Sequence, residues 1–417
     1  MASSNSNGYK YSEDEEMSFY KKDALSAVTF KIVYDRESFE QAKYLEFKPG
    51  MAHQIFGESE SIFGYRSLSI SLYYLHNSSR CYVDVKASRE IKKGVNEPDD
   101  IMGNLNPWLP ENFTTDRQVF LEMLEKEKHN LIFGTVLNEF KDSQKCPLFP
   151  NQEIYANYKI TQCDLEDENM RDFHRRFETF IVWYIDGANF IDLEDTRWLI
   201  FYIYEEITHP ETQQHFITPI GFCTVYKFFA YPHNIRARIS QFFVMPTHQK
   251  RGIGSMVYQT VFNKLKEMPE VVDVTVEEPT TTFQKIRDLA DCVVIYKALK
   301  DSGVGLSSSN IKKTFEVMKK YKICRKQCQR LYDILGAYEA NENESSYRKY
   351  LANIRNRIRN DIEREIRGSK RLCNSERASV SMEPADKNVM IEAEYKKYIE
   401  DIEEAMKNFK KTAGCRQ

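Results

Sequence analysis

Between residues 198 and 300 the spacing of apolar side chains changes several times, and each change marks an element. Trp198 to Glu206 is a β-rich run, the polar stretch Thr208 to His215 reverses the chain, and Ile220 to Tyr231 reads as the hairpin partner. A third β-rich run, Ile239 to Met245, meets a proline and passes into a loop with glycines at 252 and 254. Ile253, Met256, Val257, Val261, Phe262 and Leu265 then recur at helical spacing. Val271 to Val276 is another strand, stopped at Glu277-Glu278-Pro279, and Phe283, Ile286, Leu289 and Ala290 place a second helix over about Thr281 to Leu299.

The flanks differ. Upstream, Ser69 to Tyr74 alternates as a strand in a region rich in aromatics, which reads as mixed α/β over residues 24–170 behind a polar, flexible tail at 1–23. Beyond a Gly/Ser linker from Gly303 to Ser309, residues 301–417 are charged and helical, with Phe315, Met318, Ile323, Leu331 and Ile334 at helical spacing. Residues 374–388 break that pattern and read as loop. Residues 171–300 are the core that carries the chemistry.

A strand, a glycine loop and a helix together make an anion cradle. Glycine lets backbone approach a ligand, and the unpaired N–H groups of a helix's first turn hold phosphate oxygens. Lys250 and Arg251 add positive charge there. The spacing Gln249-x-x-Gly252-x-Gly254 matches neither the dinucleotide fingerprint nor the P-loop. An ordinary glycine-capped turn remains open on these residues alone. At the end of the following strand, the carboxylates of Glu277 and Glu278 stand beside such a cradle, where a base is useful. A lysine amine has a pKa near ~10.4, so holding it neutral at pH 7 costs roughly 4 kcal/mol.

The Gln249 to Ser255 loop resembles the pyrophosphate loop of the GNAT superfamily of acetyl-coenzyme A-dependent N-acetyltransferases. Further blocks make the resemblance narrower. His53-Gln54-Ile55-Phe56-Gly57-Glu58-Ser59-Glu60, Phe180 to Asp186, Phe190 to Trp198 and the Val276-Glu277-Glu278-Pro279 segment resemble, in order and spacing, the type B histone acetyltransferase catalytic subunits. The resemblance implies an α+β fold, with a GNAT acyltransferase core, a mixed α/β N-terminal domain and a helical C-terminal region. It implies a β-strand at Phe242, Phe243 and Val244 that pairs with the pantetheine arm of acetyl-coenzyme A. The pyrophosphate cradle would be Gln249, Lys250, Arg251, Gly252, Ile253, Gly254 and Ser255. Glu277 would be the general base, with Asp186 and Glu278 as auxiliary carboxylates. Glu58, Ser59, Glu60, Trp198, Tyr226, Lys227 and Phe228 would hold the tail of newly made histone H4, and a β-propeller histone chaperone would be the partner. The chain departs from the family's habit at Lys250-Arg251, where Gly-x is frequent, at Asp186, where glutamate is usual, and at Glu278, where aspartate is common.

Charge agrees with a basic substrate. The chain is −3 overall, from 59 basic and 62 acidic residues. Residues 301–417 hold 25 Lys and Arg against 18 Asp and Glu, whereas residues 1–300 hold 34 against 44. Asp192, Glu194 and Asp195, with Glu58 and Glu60, are candidates for steering a lysine-rich tail. The basic stretch Lys319 to Lys326 and Arg355, Arg357 and Arg359 have acids nearby (Asp361, Glu363, Glu365) and read as solvated helix, which argues against direct nucleic-acid binding.

Nine scattered cysteines and a polar start without a signal peptide fit a protein of cytoplasm and nucleus, and no apolar run is long enough to span a membrane. Neither the cysteines nor the eight histidines show metal spacing, so no metal is expected. No Cys sits beside a His and an acid, so direct attack of the amine on the thioester is the simpler chemistry. Two other readings stay open: an acetyltransferase for a protein N-terminus or a polyamine, and a non-catalytic coenzyme A-binding scaffold that escorts histones.

Overall fold

The computed structural model describes residues 17–91, 97–306, 310–341, 343–372 and 384–414. Residues 1–16 of the tail, 307–309 of the linker and 374–383 of the expected loop lie outside these, whereas 384–388, also expected as loop, are the start of a helix. The chain divides into two compact units, one comprising the chain up to Lys227 together with Ile239–Thr260, the other Phe228–Arg238 and the chain from Val261.

In the first unit, β1 (Lys21–Asp23) belongs to the stretch assigned to a flexible tail, yet it pairs with β4 (Ser61–Phe63). A four-stranded sheet has the order β3 (Leu45–Phe47), β2 (Val28–Val33), β6 (Ser69–Leu75), β7 (Cys81–Lys86), with only β2 and β6 parallel. A short ribbon joins β5 (Tyr65–Arg66) to β8 (Arg89–Glu90). From Ile70 to Leu75, β6 is buried on both faces because successive side chains point opposite ways into two apolar clusters. Tyr73 meets Phe120 of α1 (Arg117–Glu125), while Tyr74 packs on Phe180 with ring centroids 4.5 Å apart.

The larger sheet runs β9 (Thr135–Lys141), β10 (Asn157–Gln162), β11 (Trp198–Thr208), β12 (His215–Ala230), each antiparallel to the next, and the later residues of β13 (Asn234–Val244) lie beside β12. After α2 (Glu168–Phe177) the chain tightens into a 3₁₀ segment, Glu178–Trp183, in which every residue is buried. Phe180 lies 5.5 Å from Phe30 and stacks on Phe243 at 5.9 Å, and Trp183 sets its edge against Phe30 at 5.4 Å. Fully burying one such ring is worth about 1.5–3 kcal/mol. The loop that follows, residues 184–197, therefore springs from a rigid post.

The second unit places β14 (Val271–Val276) beside the first residues of β13, where Arg236 bonds Asp273 at 2.7 Å and Ile235 N–H donates to Glu270 O. Part of α3 (Ile253–Glu267) belongs here, followed by α4 (Thr281–Asp301), α5 (Ile311–Lys320), α6 (Arg325–Ala340), α7 (Glu344–Leu372) and α8 (Pro384–Gly414). Ile354, Ile358 and Ile362 form a stripe on α7 at i, i+4 spacing and bury against Ile391 of α8. The solvated-helix reading of α7 needs one correction. Arg357 turns inward and makes two hydrogen bonds, at 2.8 and 2.6 Å, to Asp333, a residue 1% exposed. The buried face of α4 is likewise not purely apolar, since Arg287, Asp288 and Asp291 lie within it and Arg330 bridges Asp288 to Asp401.

Candidate functional site

The cradle begins where β13 ends. Pro246 cannot extend the sheet, so the chain makes a 3₁₀ turn at Pro246–His248, and Gln249 closes it by donating Nε2–H to Val244 O at 2.9 Å. Two left-handed residues follow, Lys250 at φ +60° and Gly252 at φ +80°. A side chain at Gly252 would enter open space, with no protein atom within 4 Å of its Cβ. The helix starts at Ile253, and Ser255 and Met256 N–H return to Gly252 O. Ile253 and Val257 are buried, which fixes the helix's first turn against the sheet. Phe243 and Val244 are buried as well.

Two buried acids anchor this loop. Asp142 accepts from Arg251 Nε at 2.7 Å and from Tyr158 OH at 2.7 Å, while Arg251 also donates to the carbonyls of Gln144 and Lys145. Glu205, 1% exposed on β11, lies 3.2 Å from the ring of the equally buried His248. Arg251 was expected to add charge for a ligand, but its guanidinium is 10% exposed and matched by Asp142. Lys250 is exposed. An anion at this loop would therefore meet backbone N–H groups and the helix start rather than the arginine.

Six of the seven expected substrate residues, all but Phe228, fall into two groups in the first unit. Residues 52–60 fold back on themselves, and Glu60 Oε1 accepts from Ala52 N–H at 2.6 Å and His53 N–H at 3.1 Å, capping the helical turn His53–Phe56 that lacks any other side-chain cap. Glu60 thus has a structural task that the sequence did not reveal, whereas Glu58 and Ser59 are exposed. In the second group, Trp198 sets its ring edge-on to Tyr226 at 4.8 Å, Tyr226 OH donates to Asp195 at 3.1 Å, and Lys227 N–H donates to Arg197 O. The Arg197 guanidinium bonded to Asp195 holds that carboxyl well below the usual range. Glu194 pairs with Arg171 at 3.1 Å. Of the five acids expected to steer a basic tail, Glu194 and Asp195 are therefore already matched by local arginines, and Asp192 is exposed. Asp186 is exposed and bonded to His53.

In the second unit, Glu277 and Glu278 are both exposed at the carboxyl end of β14, and Glu278 takes φ +32°. Pro279 ends the strand, and Thr280 caps α4 by accepting from Phe283 N–H at 3.2 Å. Phe228 is 37% exposed, with the Arg238 guanidinium 4.4 Å from its ring centre. Among the described residues no group of three His, Cys, Asp or Glu is placed to hold a metal, and no helix is long and apolar enough to cross a membrane.

Asp142, Glu205 and His53 are absent from the sequence-based site. His53 stands in the His53 to Glu60 block, but nothing in that spacing marks it as a partner of residue 186, which is 133 positions away.

Known proteins give this arrangement its context. A family described as Histone acetyl transferase HAT1 N-terminus matches residues 20–186, and one described as Acetyltransferase (GNAT) family matches residues 154–282. The histone acetyltransferase type B catalytic subunit of Homo sapiens is 29% identical over 358 residues, covering 84% of this chain and 83% of its own. The protein of the same name from Cryptococcus neoformans var. neoformans serotype D is 26% identical over 319 residues, covering 71% and 77%. Among solved structures, an aminoglycoside acetyltransferase from an uncultured soil metagenomic sample aligns with 31% of this chain and 83% of its own at 17% identity and a TM-score of 0.23, too slight a likeness to bear on function. With these two domains overlapping between residues 154 and 186, the chain is an acetyl-coenzyme A-dependent N-acetyltransferase that resembles the type B histone acetyltransferase catalytic subunits.

Proposed function

We propose that this enzyme acetylates lysine side chains in the N-terminal tail of newly made histone H4, in cytoplasm and nucleus, working with a β-propeller histone chaperone. The observation that carries the reading is the loop from Val244 to Ser255, which leaves open space at a left-handed glycine beside the first turn of a long helix. In this reading a pyrophosphate would occupy that space. A larger side chain would fill it, and the helix start supplies N–H donors and the positive end of a dipole.

In this reading Phe242, Phe243 and Val244 offer backbone groups to the pantetheine arm, and residues 249–255 hold the diphosphate. Acetyl-coenzyme A supplies an activated thioester. Glu277 accepts the proton that the lysine ammonium must lose before its nitrogen can attack, directly or through one water, a role worth ~10²–10⁴ in rate. Asp186 and Glu278 are auxiliary acids that favour binding of the cation. The burial of Cys223 on β12 pushes its thiol up in pKa, which favours direct transfer over an acyl-cysteine route. Mass spectrometry of an H4 tail peptide incubated with the pure protein and acetyl-coenzyme A tests the proposal. Acetyl groups on its lysines are expected. An unmodified peptide, with a polyamine or a peptide N-terminus acetylated instead, would move the substrate class.

A further inference from the structure

Residues 50–54 and 183–188 are stitched together by four hydrogen bonds. Gly50 and Met51 N–H both donate to Trp183 O at 3.0 Å, Gln54 Nε2–H donates to Ala188 O at 3.2 Å, and His53 Nε2 lies 2.9 Å from Asp186 Oδ1. Three of these end on backbone carbonyls and serve to fix the two segments. The fourth ends on an exposed ionisable side chain. Trp183 is anchored in the aromatic core, so the stitched pair is a rigid platform rather than two mobile loops.

His53 is held from its other side too. Glu60, which caps the turn by accepting from His53 N–H, places Oε1 3.7 Å from Nδ1. That separation is too long for a hydrogen bond, so the ring's side-chain partner is Asp186, reached through Nε2. Exposure separates the roles. The His53 side chain is 26% exposed and the Asp186 side chain 80%. The imidazole is thus the fixed part and the carboxylate the part that a substrate meets.

We propose that His53 is a positioning residue for Asp186. Nε2–H takes one carboxylate oxygen and fixes the short side chain, which leaves the second oxygen to accept from an incoming lysine ammonium. The inference rests on the reading of Asp186 as an auxiliary carboxylate in lysine acetylation. Because the Asp186 carboxylate is largely exposed, loss of this one charge-assisted hydrogen bond should lower kcat/KM by roughly tenfold.

The test compares full-length His53→Ala, His53→Gln, Asp186→Ala and the double variant His53→Ala with Asp186→Ala, in steady-state acetylation of a lysine peptide with thermal melting and acetyl-coenzyme A binding alongside. His53→Ala is expected to lose about tenfold in kcat/KM, chiefly through KM for the peptide, with cofactor affinity unchanged. His53→Gln, whose amide can donate in place of Nε2–H, should retain most of the activity. In the Asp186→Ala background, His53→Ala should add nothing, because its target is gone. The proposal is overturned if His53→Ala costs as much without Asp186 as with it, or if His53→Gln is as poor as His53→Ala at an unchanged melting temperature. An inactive Asp186→Ala beside a fully active His53→Ala would sink this inference alone. A fully active Asp186→Ala would remove the auxiliary role of Asp186 itself.

Discussion

Glu178 in the first unit and Asp333 in the second are 3% and 1% exposed, yet each acid is kept in the interior by a different device. Among the described residues no lysine or arginine is bonded to Glu178, although Arg175 acts on it from farther off. Its Oε2 accepts from Ile191 N–H at 3.2 Å and lies 3.7 Å from Nε2 of His174, whose Nδ1 is 2.7 Å from Tyr202 OH. Burial pushes the Glu178 carboxyl up to about 8 and the His174 imidazole down to about 3, so the pair sits neutral. Asp333 is instead met by counter-charge and donors, with two bonds from Arg357 and one each from Tyr398 OH and Gln329. The first device needs no partner ion but ties stability to pH. The second ties stability to one particular arginine.

Neither buried acid is proposed for chemistry, and the candidate base, Glu277, is exposed. The contrast predicts that acids in the interior govern stability while those at the site govern rate. The largest effect should come from Glu277→Gln, which removes the proton acceptor and should lower kcat by ~10²–10⁴ with little change in cofactor affinity or melting temperature. Near-native turnover at neutral pH would shift the base to Asp186 or Glu278.

Asp333→Ala should do the reverse. It strands a guanidinium that is only 29% exposed and removes the acceptor of Tyr398 OH, so a loss of about 3 kcal/mol is expected in denaturant unfolding, the lower end of the range for a broken buried pair. Replacing both partners, Asp333→Leu with Arg357→Met, should cost much less. If single and double variants lose equally, packing rather than charge pairing dominates there.

The neutral pair predicts a pH profile. Folded, it binds one proton between about pH 3 and 8. The unfolded pair, with ordinary values near ~4.3 and ~6.5, binds two protons below that range, one within it and none above. Stability should therefore be highest between the two ordinary values. It should fall by about 1.4 kcal/mol per pH unit as pH rises from ~6.5 toward 8, and similarly as pH drops from ~4.3 toward 3. Glu178→Gln should abolish the alkaline fall and start the acid fall at ~6.5, where the unfolded histidine begins to charge. Thermal melts of both proteins from pH 5 to 8.5 decide this, and identical slopes would mean that Glu178 is charged in the folded protein.

The sequence revealed elements with a single period. Val271–Val276 is legible as a short β-branched run stopped ahead of Pro279, and the buried face of Ile253–Glu267 follows from 3.6-residue spacing. Glu178–Trp183 carries no such signal, since all its residues are buried and periodicity needs a polar face to contrast with. The glycine loop was legible because glycine at a left-handed position is a local requirement. Its anchors were not. Arg251 finds Asp142 109 positions away, and Arg330 finds Asp288 42 positions away, pairings set by tertiary packing that leave no local trace. Position within the loop, with its distant partner unseen, therefore credited Arg251 to the ligand.

The smallest effect separates two glutamates that lie two positions apart and look equivalent in the sequence. Glu58 is exposed, whereas Glu60 caps a helical turn through Ala52 and His53 N–H. If Glu58 meets a basic tail at the surface, Glu58→Gln should raise KM for the histone peptide a few-fold, as expected for an exposed pair worth about 0.2–1 kcal/mol, and leave kcat and melting temperature unchanged. The difference should vanish at 1 M salt, where the Debye length is about 3 Å. Glu60→Gln keeps an acceptor oxygen but loses its charge, so its cost should appear in melting temperature, by about 0.5–1 kcal/mol, and persist at high salt because the bonds are local. Titrating both variants against salt, with activity and melting read on the same samples, separates the roles. A salt-sensitive KM for Glu60→Gln with no loss of stability would return it to the substrate surface beside Glu58.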